Sequence, residues 1–203
     1  MLILTISSSQ KHLLVMGCYL RCQLIFKSPS SNSSRDCMSY LVVYYSRTGN
    51  NRTIAEAVAS QLSADIDEIV DKKNRQGRLN WLLAGRDSRA GKLTEIDYQK
   101  NPQDYDTIVI GAPIWAWSPI PPLRTYLKEV NLKGKRVAFF ICSKTEAYKN
   151  MFHTLAEMTS DSEHICNFGI KEERFKNEDY SADLDEFIEK IKQFKQENSL
   201  SKT

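Results

Sequence analysis

Ser46-Arg47-Thr48-Gly49-Asn50-Asn51 is a run of small polar residues that follows directly on Val42-Val43-Tyr44-Tyr45 and precedes a segment with helical spacing. A strand that turns tightly into a helix aims successive backbone N–H groups and the positive end of the helix dipole at one point, where an anion is held. Ser46, Thr48, Asn50 and Asn51 add neutral side-chain donors, and Gly49 lets the backbone turn and approach closely. The same residues also describe a helix capped by Asn50 or Asn51 with no ligand at all. The loop is not the phosphate loop of nucleotide-hydrolysing enzymes, because Gly-x-x-x-x-Gly-Lys-Ser/Thr is absent, and it lacks the Gly-x-Gly-x-x-Gly of dinucleotide folds.

A second stretch, Gly111-Ala112-Pro113-Ile114-Trp115-Ala116-Trp117-Ser118-Pro119-Ile120-Pro121-Pro122, follows another strand-like run that ends at Ile110. Its four prolines stiffen the backbone, and two indoles within three residues offer flat faces on which a planar heteroaromatic ligand could stack with little ordering cost. The alternative is that both tryptophans pack into the core. Pro121 and Pro122 suit the first turn of the next helix. Taken together, the two loops describe a ligand with a phosphate at one end and a flat ring at the other, which fits FMN.

The elements that must hold these loops alternate between two patterns. Tyr40 to Tyr45, Thr107 to Ile110, Val137 to Cys142 and His164 to Ile170 are strand-like, with a weaker strand at Asp65 to Val70. The strongest are apolar at consecutive positions, which predicts burial on both faces of a parallel sheet. Thr53 to Leu62, Leu123 to Val130, Met151 to Met158 and Leu184 to Phe194 read as helices, with a short one around Leu79 to Arg86. Leu184, Phe187, Ile188, Ile191 and Phe194 form one apolar stripe. The rhythm predicts an α/β fold with an open, doubly wound, five-stranded sheet, which binds ligands beyond the carboxyl ends of its strands. Function is therefore expected at 46–53, 111–119 and 143–148.

Residues 1–37 differ from the rest. They are Ser-rich near Ser28 to Ser34, and Lys11, Arg21, Lys27 and Arg35 against Asp36 account for the whole formal net charge of +3. Interrupted apolar runs argue against a secretory signal, and the expectation is a disordered extension or a start assigned upstream of Met38. The functional domain is expected over 38–197, with a tail at 198–203. The remaining chain is formally neutral, and no apolar run approaches the ~20 residues of a membrane span. Five cysteines without Cys-x-x-Cys spacing predict no disulfide scaffold, with Cys142 and Cys166 as small buried hydrophobes. His12, His153 and His164 form no ligand pattern, so no metal site is expected.

Val43-Tyr44-Tyr45-Ser46-Arg47-Thr48-Gly49-Asn50 resembles the flavodoxin phosphate signature, and Gly111-Ala112-Pro113-Ile114-Trp115-Ala116-Trp117 resembles the flavin-flanking loop of flavodoxin-like proteins. The resemblance covers nearly all of residues 39–195. It implies strand order 2-1-3-4-5, non-covalent FMN, electron transfer through the exposed dimethylbenzene edge of the ring, and the short-chain type. On this basis Ser46, Arg47, Thr48, Gly49, Asn50 and Asn51 are expected at the phosphate, and Pro113, Ile114, Trp115, Ala116 and Trp117 at the ring. Ser143 is expected at the pyrimidine edge. Asn51 stands where the signature usually has threonine, so the phosphate is expected to lean on its amide, on backbone N–H groups and on Arg47. The third loop, Cys142-Ser143-Lys144-Thr145-Glu146, lacks the usual glycine-rich turn. Tryptophan stacking should disfavour the charged, fully reduced ring and give a low potential for the final electron. Ala116 enters positive φ less readily than glycine, which should hinder a backbone adjustment beside the flavin.

The leading functional expectation is an electron carrier that shuttles between redox partner proteins. An FMN-dependent NAD(P)H quinone reductase is the enzyme alternative, kept open because the domain lacks the acidic bias that steers carriers to basic partners. A flavin-free fold that binds proteins is the third. Lys72, Lys73, Arg75, Arg78, Arg86, Arg89 and Lys92, against Asp71 and Asp87, form either a docking patch for a phosphorylated nicotinamide or an acidic partner, or a solvated basic face. That cluster lacks interleaved aromatics, which argues against nucleic acid. A cytoplasmic monomer or weak homodimer, with no membrane partner, completes the expectation.

Overall fold

The computed structural model describes residues 39–73, 75, 78–177 and 179–200. The chain divides into two units, Met1–Asp36 and Cys37–Thr203. The expected extension at 1–37 and the last residues of the expected tail lie outside the described residues.

In chain order the elements are β1 (Tyr40–Tyr44), α1 (Asn50–Leu62), β2 (Asp65–Glu68), β3 (Val70–Asp71), α2 (Arg78–Arg89), β4 (Ile96–Asp97) and β5 (Thr107–Gly111). They continue with β6 (Ile114–Trp115), β7 (Ser118–Pro119), α3 (Pro121–Glu129), β8 (Arg136–Ser143), α4 (Tyr148–Met158), β9 (Glu163–Lys171), α5 (Glu172–Asn177) and α6 (Ser181–Leu200). The main sheet is parallel, ordered β2-β1-β5-β8-β9. Among its own strands this is the expected order 2-1-3-4-5.

Consecutive apolar residues form strands here because the two faces of the sheet are both covered. Leu41, Val43, Ile108, Ile110, Val137, Phe139 and Ile141 point to one layer, where α3 and α4 contribute Leu123, Tyr126, Met151 and Leu155. Val42, Tyr44, Val109, Ala138, Phe140 and Cys142 point to the other, against Ile54 and Val58 of α1 and Leu184, Phe187, Ile188 and Ile191 of α6. Period-two alternation thus sorts one apolar run into two cores, and each fully buried aliphatic side chain contributes roughly 1.5–3 kcal/mol.

β1 and β5 pair from Tyr40↔Thr107 to Tyr44↔Gly111, and β5 pairs with β8 from Thr107↔Arg136 to Gly111↔Phe140. The three loops that follow β1, β5 and β8 therefore emerge side by side at the carboxyl edge. The chain leaves β1 for β2 on one side and returns to β5 on the other, so this edge is the switch point of the sheet.

Three features depart from expectation. The weak second strand stops at Glu68: the Ile69 N–H gives the last bond to Tyr44 O at 2.8 Å, and Val70-Asp71 then pairs antiparallel with Ile96-Asp97. The loop after β5 is a hairpin, with Ile114↔Pro119 and Trp115↔Ser118 paired. A short helix, α5, follows β9 directly.

Candidate functional site

α1 starts at Asn50, three residues before its expected beginning, and its N-cap is Gly49 at φ 93 rather than Asn50 or Asn51. No side chain caps it. Only the left-handed conformation demands glycine here, since a Cβ at Gly49 would meet nothing within 4 Å. Ser46 Oγ accepts from Gly49 N–H at 3.1 Å, which braces the turn. The first helical bond runs from Thr53 N–H to Gly49 O at 3.0 Å. Among the described residues the N–H groups of Asn50, Asn51 and Arg52 therefore lack a protein acceptor, and they sit at the positive end of the helix dipole. This is a donor set for an oxyanion, with Thr48 exposed beside it.

The side chains of this loop divide their roles. Asn51 is only 3% exposed, and its Oδ1 accepts from Cys142 N–H at 3.0 Å. Its amide is expected toward the anion in place of a threonine hydroxyl, and its oxygen ties α1 to the end of β8. The Asn50 amide faces the Cys142 thiol and the Glu172 carboxylate. Burial pushes that thiol up to about 11, so Cys142 is a packed hydrophobe rather than a nucleophile. Arg52 turns outward, with its Nη2 2.7 Å from Glu68 Oε2 and its Nε donating to Tyr44 OH at 3.2 Å. Arg47 reaches across to the second loop, with its guanidinium carbon 5.7 Å from the centre of the Trp115 ring.

The two indoles behave differently. Trp115 packs against the core and meets Tyr45 edge to face at 5.7 Å, and burial pushes the Tyr45 phenol up to about 12. Trp117 is 75% exposed. One tryptophan thus packs against the core and the other stands exposed. Between them, Ala116 and Trp117 adopt φ 48 and 58, as a two-residue hairpin of the primed type requires. The expectation that Ala116 avoids positive φ is overturned, because the pairing of β6 with β7 imposes it. Gly85 of α2 faces Ala116 and leaves room for its methyl group. Pro113 and Ile114 are half-buried on the approach to the turn.

In the third loop Ser143 is buried, and its hydroxyl donates to Thr145 O at 2.5 Å. The hydroxyl expected at a ligand edge gives its proton to the loop itself. Lys144, Thr145 and Glu146 are exposed instead.

Four cations of the basic run at 72–92 have carboxylate partners within the protein. Asp87 is buried and binds Lys73 at 3.0 Å, Arg75 at 3.3 Å and Lys92 at 3.3 Å, while Lys72 pairs with Asp97 at 3.0 Å. Arg75 also holds Asp71 at 2.5 Å and lies 5.8 Å from the Trp115 ring centre. Arg86 and Arg89 remain exposed, and the Arg78 side chain lies outside the described residues. Sequence reasoning missed this support for Trp115, since nothing in the spacing shows that Asp87 turns inward. Among the described residues no cluster of three or more histidine, cysteine or acidic side chains could hold a metal ion, and no helix is long and apolar enough to cross a membrane.

Comparison with known proteins agrees with this architecture. A structure of a flavoprotein from Lactobacillus acidophilus in complex with FMN superposes with a TM-score of 0.58 at 22% identity, over 65% of this chain and 93% of that one. A flavoprotein structure from Bacteroides uniformis gives 0.62 at 22% identity, over 75% and 98%. These likenesses establish the fold. An uncharacterized protein of Archaeoglobus fulgidus is 32% identical over 99 residues, which make up 49% of this chain and 62% of that relative's length. A family model described as flavodoxin matches residues 39–191, which takes in the whole five-stranded sheet and both loops of the site. This chain belongs to the flavodoxin family.

Proposed function

We propose that this chain binds FMN without a covalent link and carries electrons between redox partner proteins. The observation behind this reading is the adjacency of two features at one sheet edge: an uncapped helix start at Gly49 and an exposed indole at Trp117. The donor set fits the group. The N–H groups of Asn50, Asn51 and Arg52, with Thr48, would hold the phosphate, and Pro113 to Trp117 would flank the ring. FMN supplies reversible one- and two-electron reduction when bound. The chain's own residues bind and orient it, with Gly49 fixing the direction of the donors and the β6–β7 hairpin fixing the indole. The FMN complex of the L. acidophilus protein supports the choice of ligand.

The carrier reading gains from the ion pairs of the run at 72–92, where Lys72, Lys73, Arg75 and Lys92 already have carboxylate partners that a phosphorylated nicotinamide would have to displace. The neutral charge of the domain favours the reductase as a second reading, since carriers commonly use an acidic surface for steering. We place the activity in the cytoplasm. The test is to reduce the FMN-loaded protein chemically and add a haem-protein acceptor, then to mix FMN-loaded protein with NADPH and a quinone. Rapid reoxidation in the first arm and background NADPH consumption in the second are expected. Steady NADPH turnover makes the protein an enzyme.

A further inference from the structure

We propose that Arg47 acts on the redox balance of the ring and not as an anchor for the phosphate. This rests on the FMN reading and assigns one residue within it. Arg47 belongs by sequence to the phosphate loop, yet its guanidinium lies at the Trp115 ring of the second loop, 5.7 Å from the centroid. Among the charges around Tyr45, that of Arg47 is the unbalanced one. Of the charges around Tyr45, Glu68 is taken by Arg52 and Asp71 by Arg75, and Arg75 is further balanced by Asp87. Among the described residues no carboxylate lies within ion-pair distance of Arg47. The anion donors at the start of α1 are backbone N–H groups that need no side-chain cation.

A cation without an ion-pair partner, set beside the ring loop, discriminates between redox states. Oxidised flavin is neutral in its ring, whereas uptake of two electrons and one proton leaves the ring with one negative charge. A nearby guanidinium favours the second state through Coulomb attraction that surrounding apolar groups screen weakly. Arg47 thereby opposes the penalty that tryptophan stacking places on the reduced ring, and it moves the chain toward two-electron chemistry.

The test uses the full chain as wild type, Arg47→Gln and Arg47→Lys, titrated anaerobically with FMN and with riboflavin, each oxidised and dithionite-reduced. Riboflavin lacks the phosphate, so it isolates the ring. In Arg47→Gln the ratio of reduced to oxidised affinity is expected to fall about tenfold for both flavins, which lowers a two-electron midpoint by about 30 mV. Arg47→Lys keeps the charge and retains most of the wild-type ratio. An unchanged ratio in Arg47→Gln overturns the proposal, most plainly if FMN alone loses affinity relative to riboflavin, which would make Arg47 a phosphate anchor. Wild-type protein that binds neither flavin overturns the FMN reading and this inference with it.

Discussion

Asn51 Oδ1 accepts the Cys142 backbone N–H at 3.0 Å, so the first residues of α1 are bound to the carboxyl end of β8 across the sheet edge. The bond is buried and joins the first and third loops of the site. Threonine at this position has a shorter side chain that leaves the Cys142 N–H without its acceptor. An unpaired buried donor costs about 1–3 kcal/mol. Asn51→Thr is therefore expected to lower stability by that amount in urea unfolding and to weaken FMN binding, although threonine is the residue the flavodoxin signature usually carries there. Equal stability for the variant would show that the bond contributes nothing.

Asp87 gives the fold a defined acid sensitivity. The Lys73 ammonium is the largest cause holding its carboxyl down at about 2, with Lys92 and Arg75 adding to it against the opposing effect of burial. The folded value lies below the unfolded one of about 3.9, so the stabilisation is complete above that value and drains away as pH falls toward 2. Unfolding midpoints measured from pH 5 to pH 2 should decline for the wild type, and Asp87→Asn should flatten the part due to this group. At pH 7 Asp87→Asn should cost about 1–3 kcal/mol, since a buried carboxylate that accepts charged hydrogen bonds is lost while Arg75 keeps Asp71 as its partner.

Gly111 ends β5 beside Phe140, whose ring would lie 1.8 Å from an added Cβ. Phe140 is fully buried and cannot swing aside. Gly111→Ala should cost about 3 kcal/mol, the upper end for an overpacked core. Combining it with Phe140→Leu should recover part of that loss, because residues in contact are energetically coupled. Thermal unfolding of the two single variants and the double variant measures the coupling, and strictly additive losses would contradict the contact.

What the residues revealed in advance followed from repetition. The parallel sheet was legible in Tyr40 to Tyr45 and Val137 to Cys142, because burial on both faces leaves an unbroken apolar run. The strand-to-helix turn at 46–51 was legible because small polar residues and Gly49 stand between an apolar run and an amphipathic segment. The hairpin at Ala116-Trp117 was not, since alanine and tryptophan give no sign of positive φ and only the strand pairing imposes it. The inward turns of Asn51 and Ser143 escaped for a related reason. A polar residue in a loop reads as available until the neighbouring strand end claims it. Arg75 and Asp87 were visible only as charges, because their pairing depends on how the β3–β4 ribbon and α2 come together.

A flavin held between the N–H groups of Asn50, Asn51 and Arg52 and the Trp117 indole would engage both loops at once. Titration of the full chain with FMN, followed by tryptophan quenching for the wild type and Trp117→Ala, tests this most directly. The wild type is expected to bind and quench, and the variant to lose at least about tenfold in affinity, within the ~1–3 kcal/mol a stacked aromatic contributes. Because Trp117 is 75% exposed, its thermal stability should stay within about 0.5 kcal/mol of the wild type. Absence of quenching in the wild type, or an unchanged affinity in Trp117→Ala, would contradict the assignment.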